Sequence, residues 1–291
     1  MLNRIINILW ARQHQGDVNH ITGDVHYLAL ALDPKRTILT IADCVALHYS
    51  KGIRHWLLWL FWYWLPVKLS ARITVISQFT KEELLRRLEI DSGRIHVIHC
   101  PAPPAYKPAG RSRQDGPPVI LQVGTNRNKN LERVAGALQD IPCILNIVGP
   151  LTIAQRRVLE SNRINYRSHV AVTDEELREL YTTSDLVLFV SLYEGFGLPV
   201  IEAQAAGKPV VTSNTCSMPE VAGEGGELVD PDDVQGIRKA VARILNDGQL
   251  RRGLIEKGLI NVRRFDAGSI AHQYAGVYLK VGASAGPREN P

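Results

Sequence analysis

Short apolar runs closed by polar residues recur along the chain and alternate with segments of helical period. Thr37 to Asp43 (TILTIAD), Ala71 to Ser77 (ARITVIS) and Ile95 to His99 read as strands in the first third. Val119 to Val123, Ile144 to Val148, Leu186 to Val190, Pro209 to Thr212 and Glu227 to Val229 read as strands in the remainder. Such runs mark strands buried on both faces of a parallel sheet. Thr80 to Leu88 is an amphipathic helix for which Thr80 is the expected N-cap, with Glu83 completing a capping box; Thr173 to Glu176 repeats the signature. A helix is predicted from about Asn130. Another starts at Pro199, whose missing N–H suits a first turn, and stops at Gly207. A further helix starts at Asp233, and two amphipathic helices finish the chain, the last over Ala267 to Val281. Gly282 to Pro291 is expected to be disordered. Alternating strands and helices predict an α/β chain of parallel sheets, which bind ligands beyond the strand carboxyl ends.

Two stretches interrupt the alternation. Pro101 to Pro118 holds six prolines, Gly110 and Gly116, and reads as an interdomain linker and hinge. It divides the chain into a first lobe (residues 1–108), a linker (109–118) and a second lobe (119–266). His55 to Leu69 (HWLLWLFWYWLPVKL) carries four of the five tryptophans. Its run Trp56 to Leu65 is far short of the ~20 residues that span a bilayer. It fits a buried helix, an aromatic surface dipping into a membrane interface, or a dimer or uncovered core face. Asn19 to Ala31 shows two histidines and a Gly-Asp turn but no clear element.

Composition narrows the classes. At 291 residues, 45% hydrophobic and 22% charged, the chain has room for two packed domains. A net charge of +5 suits an anionic substrate or membrane surface. No basic block or RNA-binding signature is present, so no nucleic acid partner is expected. Four cysteines (Cys44, Cys100, Cys143, Cys216) lack metal-ligand or redox spacing and are expected as reduced thiols of a cytoplasmic protein. Met1 to Trp10 is too short for a signal peptide.

Candidate chemistry concentrates in Asp185 to Glu220 (DLVLFVSLYEGFGLPVIEAQAAGKPVVTSNTCSMPE). Gly195 and Gly197 flank Phe196 at a helix start, where backbone N–H groups and the helix dipole favour an anion. Glu194 precedes them and Glu202 lies one turn into the helix. Two carboxylate acceptors flanking an anion site fit a nucleotide diphosphate sugar. In the earlier loop TNRNKN, Arg127 and Lys129 sit beyond a strand, over a helix start, where cations would stabilise charge developing on a leaving diphosphate. Asp230-Pro231-Asp232 lies between a strand and a helix, where aspartate is an ordinary cap, so no metal is inferred.

The stretch Glu194-Gly-Phe-Gly to Glu202 resembles the Glu-x7-Glu motif of the retaining nucleotide-sugar glycosyltransferases of sequence family 4, the glycosyl transferases group 1. VILQVGTNRNKNLERV, LYTTSDLVLFVSLYEGFGLPVIEA and SMPEVAGEGGELVDPDD resemble that family's C-terminal domain in the same order. The resemblance implies a GT-B fold of two Rossmann-like lobes, the first incomplete here, with the last helix crossing back onto it. It makes Glu194 and Lys129 the catalytic pair: Glu194 holds sugar hydroxyls and Lys129 the diphosphate. Gly195, Phe196 and Gly197 line the phosphate side, Glu202 takes the ribose, and backbone near Val172 takes the base. The family arginine falls at Thr125, leaving Arg127 as its stand-in. Two departures bear on activity. The lobe lacks the family's opening strand and glycine-rich loop, which fits a misplaced start or a broken gene, with a truly shortened chain as the alternative. Where relatives read His-Asp, this chain has Ala42-Asp43; His48 is the nearby alternative.

The expectation is a metal-independent hexosyltransferase that retains configuration, needs no cofactor beyond its nucleotide-sugar donor, and acts on a glycan or lipid-linked acceptor. It is expected in the cytoplasm, on the inner membrane face if Trp56 to Leu65 makes a peripheral contact. The rival is a degenerate, non-catalytic nucleotide-sugar-binding or assembly protein. Glu-Gly-Phe-Gly argues against a related epimerase.

Overall fold

A computed structural model describes residues 2–103 and 116–286. Pro104, Pro108 and Gly110 of the expected linker, and residues 287–291 of the expected tail, lie outside the described residues. The chain forms two units, one within Met1–Cys100 and Gly268–Pro291 and the other within Pro101–Ala267.

The first unit comprises α1 (Leu2–Gln13), β1 (Asn19–Ile21), β2 (Thr37–Ile41), α2 (Val45–Tyr49), α3 (Gly52–Leu58), a π-helical segment Trp59–Trp64, α4 (Leu65–Lys68), β3 (Arg72–Val75), α5 (Gln78–Arg87) and β4 (Ile95–Val97). Its four strands are parallel, in the order β1-β2-β3-β4. Leu39, Ile41, Ile73, Val75, Leu84 and Val67 form the buried core. A polar row crosses the sheet: the His20 ring bonds the Thr40 hydroxyl at 2.7 Å, and Thr40 bonds Thr74 at 2.6 Å. The C-terminal helix Ala267–Ala285 covers that row, with the Tyr278 hydroxyl 2.8 Å from His20 Nδ1.

Several expectations are corrected here. Thr80 is not the cap of α5: Ser77 is, its Oγ accepting the Thr80 N–H at 3.1 Å, while the Thr80 hydroxyl donates to the Ala42 carbonyl. The capping-box glutamate Glu83 instead pairs with Arg87 at 2.8 Å, one turn on. The C-terminal helix does not stop at Val281; Gly282 to Ala285 are helical rather than disordered. The Arg36 guanidinium donates to the carbonyls of Ala285 (3.3 Å) and Gly286 (2.9 Å), filling acceptors that a helix end leaves open. The aromatic stretch is neither wholly buried nor wholly exposed: Tyr63 is buried, whereas Trp56 and Phe61 are 53% and 43% exposed. Pro66 follows the π segment. Having no N–H, it cannot bond the Trp62 carbonyl, which His26 Nδ1 takes at 2.6 Å.

The second unit comprises β5 (Val119–Val123), α6 (Leu131–Leu138), β6 (Ile144–Val148), α7 (Ile153–Ser161), β7 (Tyr166–His169), α8 (Asp174–Thr183), β8 (Leu186–Phe189), α9 (Leu198–Ala205), β9 (Val210–Ser213), α10 (Met218–Ala222), β10 (Gly226–Val229), α11 (Val234–Asn246) and α12 (Gly248–Asn261). Its six parallel strands are ordered β10-β9-β8-β5-β6-β7. Leu145, Ile147, Leu186 and Leu188 pack with Val134, Leu138, Val241 and Ile244 from α6 and α11. The order reverses at β5, which pairs with β6 on one side and β8 on the other. The loops leaving β5 and β8 are therefore neighbours at a topological switch point, where sheets of this type bind ligands.

Candidate active site

Two loops at the switch point are stitched together by side chains. After β5 the chain turns at Gly124, whose φ is +93° and where an added Cβ would lie 2.9 Å from Lys129 Cε. Glycine is thus what lets the lysine stem fold back over the strand end. Arg127–Lys129 form one 3-10 turn, and Asn130 enters α6 with φ 61°, held by bonds from its amide to the carbonyls of Val190 (3.1 Å) and Pro231 (2.7 Å). Asn128 spans the gap. Its carbonyl accepts the Leu192 N–H at 2.7 Å, and its amide donates to the Tyr193 carbonyl (3.1 Å) and Glu194 Oε1 (3.0 Å).

Lys129 Nζ meets Glu194 Oε1 at 2.6 Å and lies 4.6 Å from the centre of the Phe189 ring. Both side chains of the pair are less than one-fifth exposed. Removing either partner would strand a half-desolvated charge, which costs more than the pair contributes. The loop beyond Glu194 is equally fixed. Ser217 Oγ hydrogen-bonds with the carbonyls of Phe196 (2.7 Å) and Glu194 (3.1 Å), and Phe196 is buried edge-on against Phe265. Gly197, at φ +108°, abuts Met218: a Cβ there would stand 2.8 Å from the sulfur. Leu198 then opens α9, with Pro199 in the first turn.

Glu202 sits on α9, half-buried. The hydroxyl of the fully buried Tyr181, on α8, donates to its Oε2 at 2.6 Å. Burial raises the Glu202 carboxyl above its ordinary value; the Tyr181 bond opposes that rise, and Asp174 adds to it. The remaining residues are more dispersed. Arg127 is exposed, although it shares its turn with Lys129. The Thr125 hydroxyl donates to the Pro150 carbonyl at 2.7 Å. Val172 lines a groove of about 350 Å3 together with His169 and Glu176. The capping box read at Thr173 and Glu176 is present, with Thr173, the residue after Val172, as the cap of α8.

Asp232 pairs with Arg133 at 2.7 Å, and Asp233 caps α11, accepting the Gln235 N–H. Among the described residues no three His, Cys, Asp or Glu side chains gather as metal ligands. The four cysteines are free thiols; burial pushes Cys44 up to about 12 and Cys100 and Cys143 up to about 11. In the first unit Ala42 and His48 are exposed, the latter edge-on to Tyr49. Asn128 and Tyr181 were missed in the sequence. Both are uncharged, and their role arises only from packing.

Comparison with known proteins bears on the family and the fold. O-antigen chain mannosyltransferase B of Escherichia coli is 30% identical over 218 residues, covering 66% of this chain and 56% of that protein. Serotype-specific mannosyltransferase WbdA of the same organism is 28% identical over 225 residues, covering 69% of this chain and 28% of that one. The chain thus spans little more than half the length of the first relative and less of the second. Among solved structures, Anabaena Alr3699/HepE in complex with UDP and glucose aligns with a TM-score of 0.78 at 16% identity, over 95% of this chain and 81% of that one. WaaG, a glycosyltransferase of lipopolysaccharide biosynthesis, aligns with a TM-score of 0.72 at 17% identity, over 94% of this chain and 80% of that one. At such identities the structures speak for the fold alone, a GT-B arrangement of two parallel sheets. Residues 5–106 match the glycosyltransferase family 4 model and residues 107–259 that of the glycosyl transferases group 1. The chain belongs to the glycosyl transferases group 1.

Proposed function

We propose that the chain is a hexosyltransferase, in the first instance a mannosyltransferase, that uses a nucleotide diphosphate sugar and acts on a glycan or lipid-linked acceptor with retention of configuration. The observation that carries this reading is the Lys129–Glu194 pair at the switch point, 2.6 Å apart, with Glu202 on the helix that follows. Mannosyl transfer is taken from the printed names of the relatives, and retention from the family resemblance.

In this reading Lys129 takes the diphosphate, with Arg127 as a second, exposed cation. Glu194 accepts hydroxyls of the sugar. The backbone of Gly195, Phe196 and Gly197 borders the phosphate side, Glu202 accepts the ribose, and Thr125 and Val172 border the diphosphate and base. The bond between the anomeric carbon and the phosphate oxygen breaks as the acceptor oxygen bonds to the same face. The acceptor's hydroxyl proton passes to the departing phosphate oxygen. Negative charge grows on that oxygen, and a cation already held in place lowers the barrier without reorganising. Lys129 is so held, by Glu194 and the Phe189 ring. No cofactor or metal enters the scheme, so turnover is expected to survive a chelator. The exposed aromatic residues of α3 and the π segment suit a peripheral contact with the inner membrane face, in the cytoplasm.

Isothermal titration with UDP, GDP and ADP and their sugars, without metal, tests the donor site. Binding of one nucleotide, lost in Lys129→Ala and Glu202→Ala, is expected. No binding by any of them to the folded chain overturns the reading. Binding without sugar transfer would favour the non-catalytic alternative, which Ala42 motivates: its methyl can neither give nor take a proton.

A further inference from the structure

The hydroxyl of Tyr181 donates to a carboxylate on the neighbouring helix α9. The ring is fully buried in the last turn of α8, and the oxygen reaches Glu202 Oε2 at 2.6 Å. Among the described residues no cation pairs with Glu202, so a half-buried carboxylate is held by a neutral donor. A carboxylate has about four acceptor positions, and one phenol fills one of them. The bond leaves further acceptor positions on the carboxylate and restrains its orientation. Helix α8 starts two residues after Val172, behind its cap Thr173, and its last turn carries Tyr181 to Glu202, so one element links the two positions read as bordering the nucleoside.

We propose that Tyr181 is a positioning residue for nucleoside recognition: it holds Glu202 so that its free acceptor positions meet the vicinal hydroxyls of a ribose. This rests on the reading of Glu202 given above. Tyr181 does not touch the ligand and acts only through the carboxylate.

The test is titration of the wild type, Tyr181→Phe, Glu202→Ala and the double variant. The probes are UDP, GDP and ADP and the 2′,3′-dideoxy form of whichever binds. Tyr181→Phe is expected to weaken the ribonucleotide roughly five- to tenfold, the scale of one ordinary hydrogen bond. It should leave the dideoxy form unchanged, and should cost nothing further once Glu202 is alanine. Equal weakening of the ribo and dideoxy forms, or wild-type affinity in Tyr181→Phe while Glu202→Ala loses binding, overturns this inference and leaves the donor reading standing. A wild-type chain that binds no nucleotide overturns both.

Discussion

Lys129 and Glu194 neutralise each other in the unliganded chain, and that fixes what each substitution should do. Lys129→Met leaves Glu194 half-buried without its cation, so both stability and nucleotide affinity should fall, by about 3 kcal/mol of stability in a denaturant titration. Gly124→Ala tests the same pair from the backbone. An added methyl lies 2.9 Å from Lys129 Cε at a φ of +93°, so the lysine must leave its place. Nucleotide affinity should drop at least tenfold, although the substitution touches no ligand; unchanged affinity would contradict the placement of Lys129. Glu202 carries a pH dependence. Its carboxyl is raised by burial, so the folded chain holds that proton more tightly than the unfolded one. The ionised form therefore detracts from stability in full above the raised value, and the cost fades as pH falls from there, to nothing below the unfolded value. Glu202→Gln should accordingly raise Tm at pH 7 while weakening ribonucleotide binding. Wild-type affinity should decline on acidification from above the ordinary carboxylate range. Residues of this kind divide cleanly by legibility. Glu194 announces itself by charge beside a glycine, and Lys129 and Glu202 by charge at a strand end and in the first turns of a helix. Tyr181 and Asn128 do not, because only the pairing of β5 with β8 and the docking of α8 make an uncharged donor matter.

Elements were legible where burial on both faces imposed an unbroken apolar run. Val119 to Val123 and Ile144 to Val148 coincide with β5 and β6 to the residue. They were illegible where the sheet is polar: β1 is three residues long and carries His20 into the row with Thr40, so no apolar alternation marks it. Helix ends were misplaced when the capping partner lay elsewhere. Gly282 looked like a stop, yet the terminal carbonyls find Arg36, some 250 positions away in sequence. At the other end of the scale, Thr80 matched a capping box that Ser77 pre-empts, three residues earlier and fully buried. Ser77→Ala should therefore cost the first unit about 1 kcal/mol. All five tryptophans lie within residues 10–64, so their fluorescence in a urea titration follows that unit alone. An unchanged midpoint would mean that Thr80, not Ser77, caps the helix.

At the scale of the whole molecule, a run of exposed large apolar side chains lies in the first unit. Ile53 is 77% exposed, Trp56 53%, Leu57 43% and Phe61 43%; all four belong to α3 and the π segment. Side chains of this size are normally covered, and a contiguous group of them marks a docking surface. From Cys44 to Thr80 the sequence contains no Asp or Glu, while Lys51, Arg54, Lys68 and Arg72 supply positive charge. No helix among the described residues is long and apolar enough to cross a membrane. Aromatic side chains with flanking cations are the composition of a segment that lies in an interface rather than spanning it. A lipid-linked acceptor would bring the enzyme to such a surface. Vesicles of phosphatidylglycerol should therefore carry the chain upward in a density gradient, and phosphatidylcholine vesicles should do so far less. Salt should weaken the contact, because each cation near an anionic surface contributes about 1 kcal/mol and is screened over a Debye length. Replacing Trp56 and Phe61 together by serine removes several kcal/mol of buried apolar area, about 1.5–3 per side chain, so flotation should be lost by a hundredfold or more. Those same replacements should leave nucleotide binding at its wild-type level, since the residues proposed for the donor site lie in the second unit. Flotation that ignores lipid charge would assign the attraction to the aromatic side chains alone. A chain that stays at the bottom of the gradient but sediments as a larger species at rising concentration would show that a second copy, not lipid, covers this face.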